Sequence, residues 1–237
     1  MLPKLIVWAE WSDVKQLLSP QFFRVMTPRK IAALIREMYR NFRDDDLFAL
    51  AKQEAAELST QLKLGVVLTE EPGPDKAQKT GDLLLRLYFG QLFYGITTFV
   101  DLRAVHFTSF ENQVLWKPNR LIVEWDQSFL DSIRALYRAF YSDDDPGFEE
   151  ALAQLNLQGV SELFREHFGG DDQRAVLFSS EKFLATFREI LSYCKEEGVE
   201  LHRQFGVLGV YLGTLYEHLE ATGQTYDVRS AFEDVVR

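Results

Sequence analysis

Apolar residues recur along most of the chain with the 3.6-residue period of an α-helix. Over 28–42, Ile31, Ala32, Ile35, Met38, Tyr39 and Phe42 fall on one helix face. Thr27 suits the N-cap, and Pro28 suits the first turn, where a missing N–H costs nothing. Asp44, Asp45 and Asp46 then interrupt the pattern. Short acidic side chains at such a joint end one helix and cap the next. The next helix is predicted from Leu47 to Leu64, with Gly65 as its stop. Segment 70–76, with two prolines around a glycine, is the clearest loop. A long apolar helix then opens at Thr80 or Asp82 and runs to about His106.

Residues 107–127 break the helical period. Val114–Trp116 and Leu121–Trp125 are rich in β-branched and aromatic residues and flank Lys117-Pro118-Asn119-Arg120. That arrangement predicts a small β-hairpin near 114–125. Helical patterning resumes at 128–141, 146–156, 159–168, 179–197, 199–220 and 226–236. Acidic joints at 142–147 and 169–172 separate some of these helices. The expected fold class is all-α: a globular multi-helix domain spanning 1–237, with one hairpin.

An offset of 98 places the chain on itself. Ile35, Arg36, Tyr39, Arg40 and Phe42 meet Ile133, Arg134, Tyr137, Arg138 and Phe140, and Asp45 and Asp46 meet Asp143 and Asp144. One reading is that amphipathic helices share period and composition. The other is an internal duplication, with pseudo-repeats 20–117 and 118–215 and a C-terminal helical extension over 216–237.

Composition narrows the function classes. A hydrophobic share of 46% supports a packed core. The lone cysteine, Cys194, cannot build a disulfide scaffold or a Cys-rich zinc site. The net charge of −10 argues against general nucleic-acid binding and against docking on anionic lipid. The apolar run Leu5–Ala9 is short for a signal peptide and is followed by Glu10 and Asp13, so a cytoplasmic location is expected. Leu83–Val100 is long enough to cross a bilayer. It contains Arg86 and Gln91, sits between Asp82 and Asp101, and has no flanking basic cluster, so it reads as a buried helix and not a membrane span.

Little in the chain announces chemistry. There is no phosphate-binding glycine loop and no Gly-x-Ser-x-Gly. His106, His167, His202 and His218 belong to no metal-ligand spacing, and no Glu-x-x-His occurs. Cys194 shares an apolar face with Phe187, Ile190 and Leu191, the setting of an inert thiol. No catalytic residue, metal ligand or cofactor is assigned.

The candidate contact residues are of two kinds. Arg103 and His106, with Trp116 and Trp125 shortly after, suit a pocket for an anionic or aromatic ligand. The simpler reading, which we favour, is a helix C-terminus whose cations answer its dipole. Arg36 and Arg40, and likewise Arg134 and Arg138, are i,i+4 pairs flanking a tyrosine. Each pair can grip an acidic partner segment or bind the neighbouring aspartates.

The expected function is a non-catalytic helical protein-interaction or regulatory module, with a protein partner or a homodimer as its target. Tryptophan, tyrosine and arginine are frequent interface anchors. One alternative is a helical protein binding a lipophilic ligand or cofactor in an aromatic-lined pocket, walled by the Phe-rich stretches 83–100 and 183–194. Another is a metal-dependent helical enzyme using clustered histidines and carboxylates.

Overall fold

A computed structural model describes residues 28–71, 73, 75–76, 80–111, 113–168 and 175–236. The Thr27 cap, the segment preceding it and the acidic joint at 169–172 lie outside the described residues, as do the side chains of Ile31, Ala32, Ile35 and His167. Among the described residues are nine α-helices. They are α1 (Pro28–Arg43), α2 (Asp45–Gln61), α3 (Gly81–Tyr94), α4 (Gln127–Tyr141) and α5 (Asp145–Gln154), followed by α6 (Ser161–Phe168), α7 (Ser180–Glu196), α8 (Phe205–Thr222) and α9 (Val228–Val236). Eight short strands accompany them: β1 (Val66–Leu68), β2 (Asp75–Lys76), β3 (Thr97–Phe99), β4 (Phe107–Phe110), β5 (Gln113–Trp116), β6 (Ile122–Glu124), β7 (Val176–Leu177) and β8 (Thr225–Tyr226). The protein is thus mostly helical, as expected, and its β structure is more than the one expected hairpin, forming small sheets.

The acidic joints cap helices as their composition predicts. Asp44 accepts from Leu47 N at 2.9 Å, and Asp144 accepts from Gly147 N at 3.1 Å. Asp126 and Ser179 cap α4 and α7 in the same way. Each side-chain oxygen satisfies an N–H that has no partner within its helix.

The long helix expected to reach His106 stops at Tyr94. Its last turn closes with Gly95 N donating to Gln91 O at 3.2 Å, and Gly95 itself is extended. Thr97-Thr98-Phe99 then forms β3, antiparallel to β6, with Phe99 opposite Ile122. Gln91, buried within α3, explains how the turnback is tolerated. Its Oε1 accepts from Phe99 N at 2.9 Å, so a helix side chain satisfies the returning strand. A run that is apolar on every side does not separate one buried helix from a buried helix followed by a buried strand.

The predicted hairpin between 114–116 and 121–125 does not form. β5 pairs instead with β4, Phe107 opposite Trp116, through a turn in which Glu111 adopts a positive φ of 48°. β5 also lies parallel to β1, and β2 flanks β4. β6 belongs to the other sheet, with β3. Lys117–Arg120 is therefore a crossing between sheets and not a tight turn. Near the C-terminus, α8 begins at Phe205 and not at 199. Gln204 just before it accepts from Asp126 N at 2.7 Å and donates to Glu124 O at 2.8 Å, so it serves another element's backbone. Tyr226 belongs to β8, paired with β7, and α9 starts after it.

Helices α3 and α8 form the centre and are buried around most of their circumference. Helix α9 lies along α3, and α4 packs on α5. Gly81 admits a close approach: a Cβ there would stand 2.0 Å from the Tyr226 ring. Aromatic residues fill the middle, with Tyr88 and Tyr211 ring centroids 4.7 Å apart and the Tyr88 and Tyr137 hydroxyls hydrogen-bonded at 2.6 Å. Among the described residues, no helix is long and apolar enough to cross a membrane.

Candidate functional site

Two of the candidate contact residues meet at Asp101, whose side chain is 0% exposed. Its Oδ1 accepts from Arg103 Nε at 2.9 Å. Its Oδ2 accepts from Arg103 Nη2 at 2.8 Å, His106 Nε2 at 2.9 Å and Asn119 Nδ2 at 2.6 Å. Asn119 Oδ1 in turn accepts from Leu121 N at 3.0 Å. The loop after β3, the turn before β4 and the crossing after β5 therefore converge on one carboxylate. Burial pushes the Asp101 carboxyl pKa up, but the His106 and Arg103 contacts outweigh burial and hold it below the ordinary value. Arg103 and His106 are thus brought together by a buried anion and not by a helix C-terminus. Asp101, the residue that organises them, carries no signal in the sequence beyond its closeness to both.

A second histidine holds the same loop from the other side. His218 Nδ1 donates to Leu102 O at 2.7 Å, which leaves Nε2 to accept from Thr80 Oγ1 at 3.0 Å. Thr80 makes no side-chain cap to α3, its hydroxyl being engaged by His218. Burial lowers the His218 pKa, against the opposing effect of the Leu102 carbonyl. His202 stacks on Phe129, with centroids 4.7 Å apart. Among the described residues, no group of three or more His, Cys, Asp or Glu is placed to hold a metal ion. Burial raises the Cys194 thiol to about 11.

Both candidate tryptophans belong to the core. Trp116 is 0% exposed, stacked on Phe107 and edge-on to Phe99. Trp125 is buried and donates its indole N–H to Thr98 Oγ1 at 2.9 Å. Both rings are turned into the core.

The two arginine pairs differ. Arg36 and Arg40 are exposed on α1. Arg134 donates Nε to Leu92 O at 2.6 Å, serving an otherwise unpaired carbonyl at the C-terminal end of α3, and Arg138 stacks over Phe93 at 5.0 Å. The neighbouring aspartates bind elsewhere: Asp45 to Arg120, and Asp143 to Arg229.

Apolar groups do reach solvent at the end of α3. Ile96 is 70% exposed and Tyr94 52%. They border a cleft of about 180 Å³ between α2 and the start of β3. Glu54, on its α2 wall, accepts from Thr97 N at 3.0 Å and Thr97 Oγ1 at 2.8 Å. The Tyr94 hydroxyl donates to Val235 O at 2.6 Å, which pins an exposed ring in one place. Comparison with known proteins returns neither a matching family model nor a matching curated sequence.

Proposed function

We propose that the protein is a non-catalytic helical interaction module whose contact surface is the ledge formed by Tyr94 and Ile96 beside the α2 cleft. The exposure of Ile96 carries this reading. A β-branched apolar side chain standing free next to a fixed aromatic ring is a pre-ordered anchor, and little side-chain freedom is lost when it is covered. The cleft wall adds Glu54 and Glu57, on a chain whose net charge is −10. The partner is accordingly a protein segment that presents apolar residues together with lysine or arginine.

Burying one isoleucine contributes about 1.5–3 kcal/mol, so Ile96→Asp should weaken the complex at least about tenfold. The test compares proteins retained from source cells by immobilised wild type and by Ile96→Asp, quantified by mass spectrometry, with sedimentation velocity reporting self-association. Selective loss of a bound protein, or of a dimer, supports the ledge. An unchanged set of bound proteins with unchanged sedimentation overturns it.

We also infer that the 98-residue offset records a duplication. It carries Gly81, the first residue of α3, onto Ser179, the N-cap of α7. It pairs Asp46 and not Asp44 with Asp144, so the capping carboxylates do not coincide in that register. Superposing α1–α2 on α4–α5 tests the idea, and unrelated crossing angles count against it.

A further inference from the structure

Helix α1 is a basic element in an acidic chain. It carries Arg29, Lys30, Arg36, Arg40 and Arg43 against a single acid, Glu37, whereas the whole chain has 36 acidic and 26 basic residues. Arg203 holds that acid through a contact of 3.0 Å. Arg29, Arg36, Arg40 and Arg43 are exposed, and at 3.6 residues per turn they fall within an arc of about 60°, as one stripe about 21 Å long. Arg43 donates Nη1 to the Tyr39 hydroxyl at 3.1 Å. Arg29, Arg36 and Arg40 have no side-chain partner among the described residues. Helix electrostatics accounts for part of the stripe only. Cations in the last turn answer the dipole, which suits Arg40 and Arg43. Arg36 lies in the middle, and Arg29 lies in the first turn, where a cation is disfavoured. Arg36 and Arg40, four residues apart, also repel each other. The stripe therefore destabilises the helix that bears it, and a counter-charge from outside relieves that repulsion. The counterparts Arg134 and Arg138 are instead engaged with α3, at Leu92 O and the Phe93 ring.

We propose that this stripe binds an acidic peptide segment of another protein, whose carboxylates pair with the guanidinium groups of Arg29, Arg36 and Arg40. The planar guanidinium fork matches a carboxylate through two parallel hydrogen bonds. Charge selects a short segment over a larger polyanion. Asp44, Asp45 and Asp46 stand exposed directly beyond Arg43, so an anionic chain running past the end of α1 meets like charge. The net charge of −10 also repels nucleic acid, an anionic membrane and a second copy of the chain. An acidic segment of about six extended residues, by contrast, spans the stripe and stops short of the aspartates. Residues 1–27 do not supply the anion, since they hold Lys4, Lys15 and Arg24 against Glu10 and Asp13. This surface does not rest on the Tyr94–Ile96 ledge, which selects the opposite charge.

The test uses a fluorescein-labelled deca-glutamate peptide, titrated with the full chain at low salt and followed by fluorescence anisotropy. Wild type should bind it saturably, more tightly than a decathymidylate of similar charge, and more weakly as salt is raised. Arg36→Glu with Arg40→Glu, checked for folding by circular dichroism, should weaken binding about tenfold or more, because two attractions become repulsions. Arg36→Gln with Arg40→Gln should weaken it less while leaving thermal stability equal to or above wild type, since a like-charge pair has been removed. Lys182→Glu with Lys195→Glu, two exposed lysines of α7, changes the net charge as much as the first variant does and should alter binding by less than about threefold. Loss confined to the α1 variants supports the stripe. Absence of saturable deca-glutamate binding to wild type overturns it, as does an equal loss in the α1 and α7 charge reversals. Tighter binding of decathymidylate, or of phosphatidylserine vesicles, overturns the assignment to an acidic peptide.

Discussion

Replacing Asp101 by asparagine should remove a large part of this protein's stability. The two side chains have nearly the same shape, so packing barely changes. The charge does. Both carboxylate oxygens of Asp101 receive donors, and three of those side-chain contacts converge on Oδ2. An asparagine offers one oxygen and turns an NH₂ group toward Arg103, His106 or Asn119, which are themselves donors there. The Arg103 guanidinium, with a side chain 8% exposed, then loses its counter-ion. Removing one partner of a buried pair costs about 3–5 kcal/mol. Against a typical total of about 5–15 kcal/mol, that is a substantial fraction. At about 2–4 °C per kcal/mol for a chain of this size, Tm should fall by about 6–20 °C. Urea unfolding followed by circular dichroism and tryptophan fluorescence measures the loss, with an unchanged slope showing that the unfolded state is the same. The double variant Asp101→Leu with Arg103→Met should recover part of the loss, because it leaves no isolated charge. A loss below about 1 kcal/mol, the worth of a surface ion pair, would refute the argument. The sign with pH is also defined. The folded Asp101 pKa lies below the ordinary aspartate value of 3.8, so its stabilisation is complete above that value and disappears as pH falls through the folded pKa.

His218 titrates in a milder window. Its folded pKa is lowered from 6.5, so the unfolded state takes up the proton first and stability declines as pH drops below 6.5 toward the folded value. His218→Gln keeps a donor for Leu102 O and an acceptor for Thr80 without a titrating ring. Its urea midpoint should therefore change less than that of wild type between pH 7.5 and pH 5.5, about one unit on either side of the ordinary histidine value, and equal changes would contradict the assignment. Cys194, buried and raised to about 11, should resist iodoacetamide at about pH 8 in the folded protein and react fully in urea. Rapid modification of the native thiol, followed by mass spectrometry, would show that it is accessible.

Much of the helical framework was legible in the chain, because it depends on neighbours a few residues apart. The acidic joints became caps, since a short carboxylate reaches an N–H three residues on whatever surrounds it. The buried faces of α4 and α7 followed from the 3.6-residue period, and Cys194 fell in the core with Phe187 and Ile190 as that period required. Arg103 and His106 were read together, as residues of a ligand pocket or as cations at a helix C-terminus, and they meet at buried Asp101. The nature of that site was hidden, because Asn119 joins it from beyond β4 and β5, and sequence distance says nothing of such a meeting. The tryptophans show the converse limit. An indole beside a proline reads equally as an anchor for a partner or as a core ring, and only the packing of Phe99 and Phe107 around Trp116 decided it.

The course of the chain after Tyr94 was likewise beyond local pattern. The run 83–100 is apolar around most of its circumference, and both outcomes bury most of it. The choice rests on Gln91 meeting the backbone of Phe99 and on β6 offering β3 a partner from more than twenty residues away. The sequence by itself determined where most helices start (though not α8), which faces turn inward and that no familiar catalytic motif is present. Tertiary structure alone decided which strands pair and which carboxylate gathers Arg103, His106 and Asn119. Those outcomes depend on contacts between distant segments, whose hydrogen bonds and packing exist only once the chain has closed on itself.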